Sequence, residues 1–201
     1  MKKIFFAAAA VFAVSLFSAA ANGGSGTMDM DKEQIHHSSG KAGVLKAMFA
    51  AGCFWGVEAE FAGLKGVTST RVGYSGGHTK APTYGEVCSG KTGHAETVLV
   101  EYDPSVIAYD ALLNAFWDMH DPTTLNRQGP DTGSQYRSVI FYFSPEQELA
   151  ARRSKEQLDK SGVHKNKVVT EITPAGPFYE AEEYHQRYFE KKGIKGSCHT
   201  R

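Results

Sequence analysis

The stretch from Val44 to Leu64 constrains the fold of this chain more than any other. Val44 to Ala51 is a short apolar run that ends at Gly52, the pattern of a buried strand. Phe54, Val57, Phe61 and Leu64 then recur at steps of three, four and three, which is one face of a helix, and Gly63 and Gly66 bracket its end. Between the two lies Gly52-Cys53, so a cysteine stands where a strand turns into a helix. A thiol in a helix's first turn meets unpaired backbone N–H groups and the positive end of the helix dipole, and both favour the reactive thiolate. Position alone leaves a buried structural cysteine equally open. Phe54 and Trp55, adjacent on a helix, point about 100° apart, so at least one should stay partly exposed beside the thiol.

Further elements follow in the same way. Val67 to Tyr74 and Thr97 to Tyr102 read as strands, separated by a long, turn-rich loop from His78 to His94. Leu112, Leu113, Phe116 and Trp117 mark a helix running to about His120. A second long loop covers Asp121 to Gln135, and Val139 to Phe143 is a β-branched and aromatic strand. Ser144-Pro145-Glu146-Gln147 offers an N-cap serine, a proline at the first helical position and a capping-box glutamine, opening a helix to about Ser161. Val168 to Thr173 is a further strand and Ala181 to Lys191 a last helix. This order suggests a two-layer α+β domain, with the site expected in its two long loops.

The ends read differently. Lys2 and Lys3, an apolar stretch from Ile4 to Phe17 broken only by Ser15, and the small residues Ser18-Ala19-Ala20-Ala21 predict a cleaved secretory signal over residues 1–21. Residues 22–43, rich in glycine, serine and charge, predict a flexible linker, and His36-His37 within it a solvated pair. The domain is expected over 44–191, with a mobile tail over 192–201. An exported protein is expected, periplasmic or else secreted from the cell, with no membrane attachment after cleavage. Basic and acidic residues balance at 22 each, so no nucleic-acid partner is expected. Three cysteines, Cys53, Cys88 and Cys198, do not make a pure disulfide framework, and their spacing fits no zinc site.

Gly52-Cys53-Phe54-Trp55-Gly56-Val57-Glu58 resembles the signature of the type A peptide-methionine sulfoxide reductases, which act on the S epimer. The likeness continues through Val72-Gly73-Tyr74-Ser75-Gly76-Gly77, Pro82-Thr83-Tyr84, Val87-Cys88-Ser89-Gly90 and Gly93-His94-Ala95-Glu96. It resumes in Phe116-Trp117, His120-Asp121-Pro122-Thr123, Asn126-Arg127-Gln128-Gly129, Asp131 and Gln135-Tyr136-Arg137-Ser138, and closes in Ala181-Glu182-Glu183-Tyr184-His185-Gln186. Pattern and resemblance together lead to an α+β fold: a two-layer mixed β-sheet with packed helices, a ferredoxin-like core and long active-site loops.

The resemblance implies that Cys53 attacks the sulfoxide sulfur and that Glu96, kept neutral by burial, protonates the oxygen. It implies that Tyr84 and Tyr136 donate to the same oxygen, that Asp131 helps place substrate and water, and that Phe54 and Trp55 wall the S-methyl group. His94 and His185 read as structural hydrogen-bonding residues, and Cys88 as packed in or under the first loop. Cys198, in a glycine-flanked tail, is the expected resolving thiol for a Cys53 sulfenic acid. Its disulfide would be recycled by an external thioredoxin-like dithiol, with no bound cofactor and no metal. The expected partners are oxidised proteins or peptides and that donor, with the enzyme itself a monomer. Two rivals stay open: a cysteine hydrolase using His78, His94, His120 or His185 as base, and a binding module for methionine peptides.

Overall fold

The computed structural model describes residues 43–194. The expected signal over 1–21, nearly all of the linker, and Cys198 lie outside the described residues.

The first strand, β1 (Leu45–Ala51), buries its last five residues and feeds helix α1 (Phe54–Ala62) through Gly52 and Cys53. β2 (Val67–Ser75), the short helix α2 (Tyr84–Cys88), β3 (Ala95–Tyr102) and α3 (Tyr109–Met119) follow. A hairpin of two-residue strands, β4 (Arg127–Gln128) and β5 (Asp131–Thr132), leads through a helical turn to β6 (Ser138–Tyr142). The chain then forms α4 (Pro145–Ser161), β7 (Glu171–Pro174), β8 (Tyr179–Glu180) and α5 (Tyr188–Lys191).

The main sheet has the order β7-β6-β1-β3-β2-β8. Its four central strands, β6-β1-β3-β2, pair antiparallel and are linked as strand, helix, strand, strand, helix, strand, which is the ferredoxin-like arrangement. β7 extends it in parallel beside β6, which makes the sheet mixed. Alternation along β1 separates the layers. Ala47, Phe49 and Ala51 join the larger core with residues of α1 and α3, while Met48 and Ala50 face a smaller cluster with Leu99, Val139 and Phe141. Phe49 anchors the larger core, with ring centroids 4.9 Å from Phe61, 5.3 Å from Phe116 and 6.2 Å from Tyr109.

Several expectations are refined. Ser144 caps α4 by accepting from the Gln147 N–H, but the Gln147 side chain accepts from the Phe143 amide rather than closing the box on Ser144. The two long loops hold α2 and the β4–β5 hairpin. Residues 168–170 are not strand, because the Val168 and Val169 amides donate to Asp159 and to the Pro122 carbonyl instead of to a neighbouring strand. The helix expected over Ala181–Lys191 is reduced to α5. Gln186 is drawn away to bond both the amide and the carbonyl of Val72, and Arg187 takes a left-handed φ of +51° with its amide held by Glu58. Tertiary hydrogen bonds override the helical period there.

Replacing Phe49 by alanine would leave a hole among three aromatic rings. The expected loss is about 3–5 kcal/mol of unfolding free energy, read from urea unfolding curves.

Candidate active site

The site starts from backbone geometry. Gly52 has φ +95°, a conformation that a Cβ would strain, and this turn delivers Cys53 to the position just before α1. Cys53 is half-buried, and its carbonyl accepts the first helical bond, from the Val57 amide. The next N–H, that of Phe54, has no partner within the helix and donates to Glu96 Oε2 at 3.0 Å. Glu96 is the second residue of β3, opposite Tyr74 on β2. The carboxyl is thus fixed to the amide that follows the thiol.

Glu96 is 2% exposed, and its pKa is pushed up to about 8. Burial is the main cause and the charge of Asp131 adds to it, against the opposing pull of the Phe54 N–H. The group is therefore protonated at neutral pH, with one O–H to donate.

Two phenols share this surroundings. Tyr84 opens α2, whose start is closed by a capping box between Thr83 and Glu86. Burial, the hydrogen bond to Cys88 one turn on, and the fields of Cys88, Glu96 and Tyr136 hold its hydroxyl protonated. Tyr136 ends the helical turn Ser134–Tyr136 and is pushed up to about 12, first by burial and then by the charges of Glu96, Asp131, Cys88 and Cys53. Such fields fade with distance, so Cys53, Cys88, Glu96 and Asp131 lie within electrostatic reach of Tyr136, as Cys88, Glu96 and Tyr136 do of Tyr84. Cys198, outside the described residues, is the one expected site residue that cannot be set against them.

Of the two aromatic residues after the thiol, Trp55 keeps exposed surface while Phe54 is 1% exposed, packed against Tyr74 and His185. Trp55 stacks on Tyr188 at 3.9 Å and 11°, and its indole N–H donates to His185 Nδ1 at 3.0 Å. A cavity of about 500 Å³ between α1 and α5 has Trp55 in its wall, but neither Cys53 nor Glu96.

Three of the four histidines expected as possible bases, His94, His120 and His185, are hydrogen-bonded to other groups. His94 Nδ1 accepts from the Gly77 amide and its Nε2 donates to the Thr79 carbonyl, which holds the first loop closed. His120 is bound to the Phe116 carbonyl and to Ser138 Oγ. His185 has Nδ1 occupied by Trp55. These bonds fit the structural role expected for His94 and His185, although His185 Nε2 is buried without a hydrogen-bond partner. The expectation that Cys88 packs in or under its loop is corrected. It is exposed, because α2 turns its last residue outward while leaving the thiol in reach of the Tyr84 hydroxyl. Sequence reasoning missed Tyr188 and the bonds made by Glu58, Glu182 and Gln186, whose only signal was the density of polar side chains in a run read as helix.

A half-buried thiol just before a helix, with a buried carboxyl bonded to the amide that follows it and two phenols near that carboxyl, is an arrangement suited to a cysteine-dependent enzyme. The chain belongs to the peptide methionine sulfoxide reductase family, whose model matches residues 45–201. It is an oxidoreductase that reduces methionine sulfoxide. It is 63% identical over 152 residues to peptide methionine sulfoxide reductase MsrA of Methanosarcina mazei, covering 76% of this chain and 72% of that one. The enzyme of the same name from Geobacter sulfurreducens is 61% identical over 153 residues, 76% and 94% of the two chains. Among solved structures, methionine sulfoxide reductase A of Corynebacterium diphtheriae is similar with TM-score 0.73 and 39% identity, covering 80% of each chain. Mxr1 from Saccharomyces cerevisiae in complex with Trx2 matches with TM-score 0.52 and 28% identity, over 78% of this chain and 91% of that one.

The state of Glu96 makes stability depend on pH. Its folded pKa, about 8, lies above the ordinary 4.5, so its contribution is full below about 4.5 and lost as pH rises through about 8. Glutamine cannot ionise. Relative to the parent, Glu96→Gln should therefore gain unfolding free energy between about pH 4.5 and pH 8 and level off above that, as measured by urea unfolding at each pH.

Proposed function

We propose that this chain reduces the S epimer of methionine sulfoxide, in peptides and free, with Cys53 as nucleophile and Glu96 as proton donor. Cys53 thiolate attacks the electrophilic sulfur while its oxygen takes the Glu96 proton. The S–O bond breaks, methionine leaves, and Cys53 carries the oxygen as a sulfenic acid. Tyr84 and Tyr136 donate to the oxygen as charge builds on it, and Asp131 helps to place substrate and water. Trp55 walls the methyl group, with Phe54 packed behind. The observation that carries this reading is the buried carboxyl of Glu96, protonated at neutral pH and bonded to the amide next to Cys53.

Cys198 then attacks the Cys53 sulfur, water leaves, and a disulfide forms that consumes both electrons of the thiol pair. A thioredoxin-like dithiol returns them, a reading supported by the structure of the similar yeast protein Mxr1 in complex with Trx2. The leader-like pattern of residues 1–21 supports export, and with it repair of exported proteins by a dedicated exported donor. N-terminal sequencing of protein from a cell-envelope fraction, beginning near residue 22, is the expected outcome; a soluble cell fraction holding the intact leader removes the export reading.

The reaction is tested with dithiothreitol and separated R and S epimers of a methionine sulfoxide peptide, with product followed by chromatography. Only the S epimer should be consumed, and Cys53→Ser should abolish this. Cys198→Ser should retain activity with dithiothreitol and lose it with a thioredoxin-like donor, an effect that a hydrolase or binding module would not show. Reduction of neither epimer by folded protein with free thiols overturns the reading. In single turnover, the rate of sulfoxide reduction should fall as pH rises through about 8, when Glu96 loses its proton. Glu96→Gln should lower that rate about 10²–10⁴-fold and remove the high-pH limb.

A further inference from the structure

Tyr84 begins a helix of only five residues, too short to hold a conformation by its own hydrogen bonds. The direction of its phenol is therefore set by what ties α2 to the rest of the fold. The Tyr84 backbone N–H donates to Glu182 Oε1 at 3.0 Å. The other oxygen of the same carboxylate, Oε2, accepts from the Tyr74 hydroxyl at 2.9 Å. Tyr74 is fully buried on β2, directly opposite Glu96 on β3. One carboxylate thus joins the phenol-bearing helix to the pair of strands that carries the acid. His185 Nε2 approaches Glu182 Oε2 to 4.0 Å, and the His185 ring lies 4.5 Å from that of Tyr84. Burial works against the charge on Glu182, but the Tyr84 N–H, the Tyr74 hydroxyl and His185 outweigh it and hold the carboxyl below its ordinary range. Glu182 is therefore an ionised acceptor throughout neutral pH, and charge-assisted bonds of this kind are the stronger ones.

We propose that Glu182 is a positioning residue for sulfoxide reduction, fixing the Tyr84 phenol beside Glu96 by clamping the first residue of α2 to Tyr74, without itself touching substrate. This rests on Tyr84 acting as a donor to the sulfoxide oxygen. A small displacement of that donor is enough to lose much of its effect, because bonds that assist a transition state depend on position to within about an ångström.

The test is a double-mutant cycle on the full chain, with kcat and KM measured for an S-sulfoxide peptide and dithiothreitol as reductant, so that recycling plays no part. Glu182→Ala should lower kcat/KM by about tenfold to a hundredfold. In a Tyr84→Phe background, the same change should cost no more than about twofold, because the group it positions is gone. Glu182→Gln keeps one oxygen to accept from the Tyr84 amide and should recover most of the loss, with melting temperatures showing that both variants fold. Wild-type kinetics in Glu182→Ala, or a full loss repeated on top of Tyr84→Phe, would overturn the inference. Unchanged activity in Tyr84→Phe alone would also overturn it, by removing the donor. The reaction class is decided separately, by Cys53→Ser.

Discussion

The hydrogen bond from the Phe54 amide to Glu96 links two requirements that pull in opposite directions. A helix start leaves N–H groups that need acceptors, and a buried carboxyl needs a partner or a proton. At this junction each answers part of the other's need. The amide gains an acceptor, and Glu96 stays protonated because that single bond does not repay the loss of water. Much of the surrounding fold serves this meeting. Gly52 turns the chain to bring the helix start over β3, and the antiparallel pairing of β1 with β3 fixes where along the sheet Glu96 stands.

Tyr84 and Trp55 are held by a different device. The segment from Ala181 to Tyr188 spends its side chains on other elements rather than on a helix of its own. Gln186 pairs with both backbone groups of Val72, His185 receives the Trp55 indole, and Tyr188 lies flat against that ring. The Arg187 amide reaches Glu58, a buried carboxylate on α1. This irregular stretch therefore ties α1, α2 and β2 together around the thiol, although it contributes little regular structure.

Much of this was legible in the residues and some was not. The β1–α1 turn could be read because Gly52, the apolar run before it and the helical spacing after it all agree. The strand-helix order followed from similar patterns, and the serial motifs pointed to Cys53, Glu96, Tyr84, Tyr136 and Asp131 together. The run from Ala181 to Lys191 misled because its apolar spacing is helical while its polar side chains bond at distances no local pattern records. Cys88 misled for a related reason: whether a cysteine at the end of a short helix faces in or out depends on how that helix is tethered, not on its neighbours in sequence. The separation of Phe54 and Trp55 into one buried and one exposed ring was foreseeable from helical geometry, but which ring took which place depended on Tyr74, His185 and Tyr188.

The clamping of Trp55 has a consequence for recognition. A methionine sulfoxide side chain is thin and loses several freely rotating bonds when it binds, so little entropy can be spared on the receiving side. Trp55 is already immobilised by the stack on Tyr188 and the bond to His185. On the proposed role of Trp55 as the wall of the methyl group, docking has to still only the guest, so a short, flexible residue with few polar handles is gripped by shape, with little help from the polypeptide around it. An enzyme so arranged is suited to many unrelated sequences, provided that the oxidised side chain stands clear of its own protein's surface.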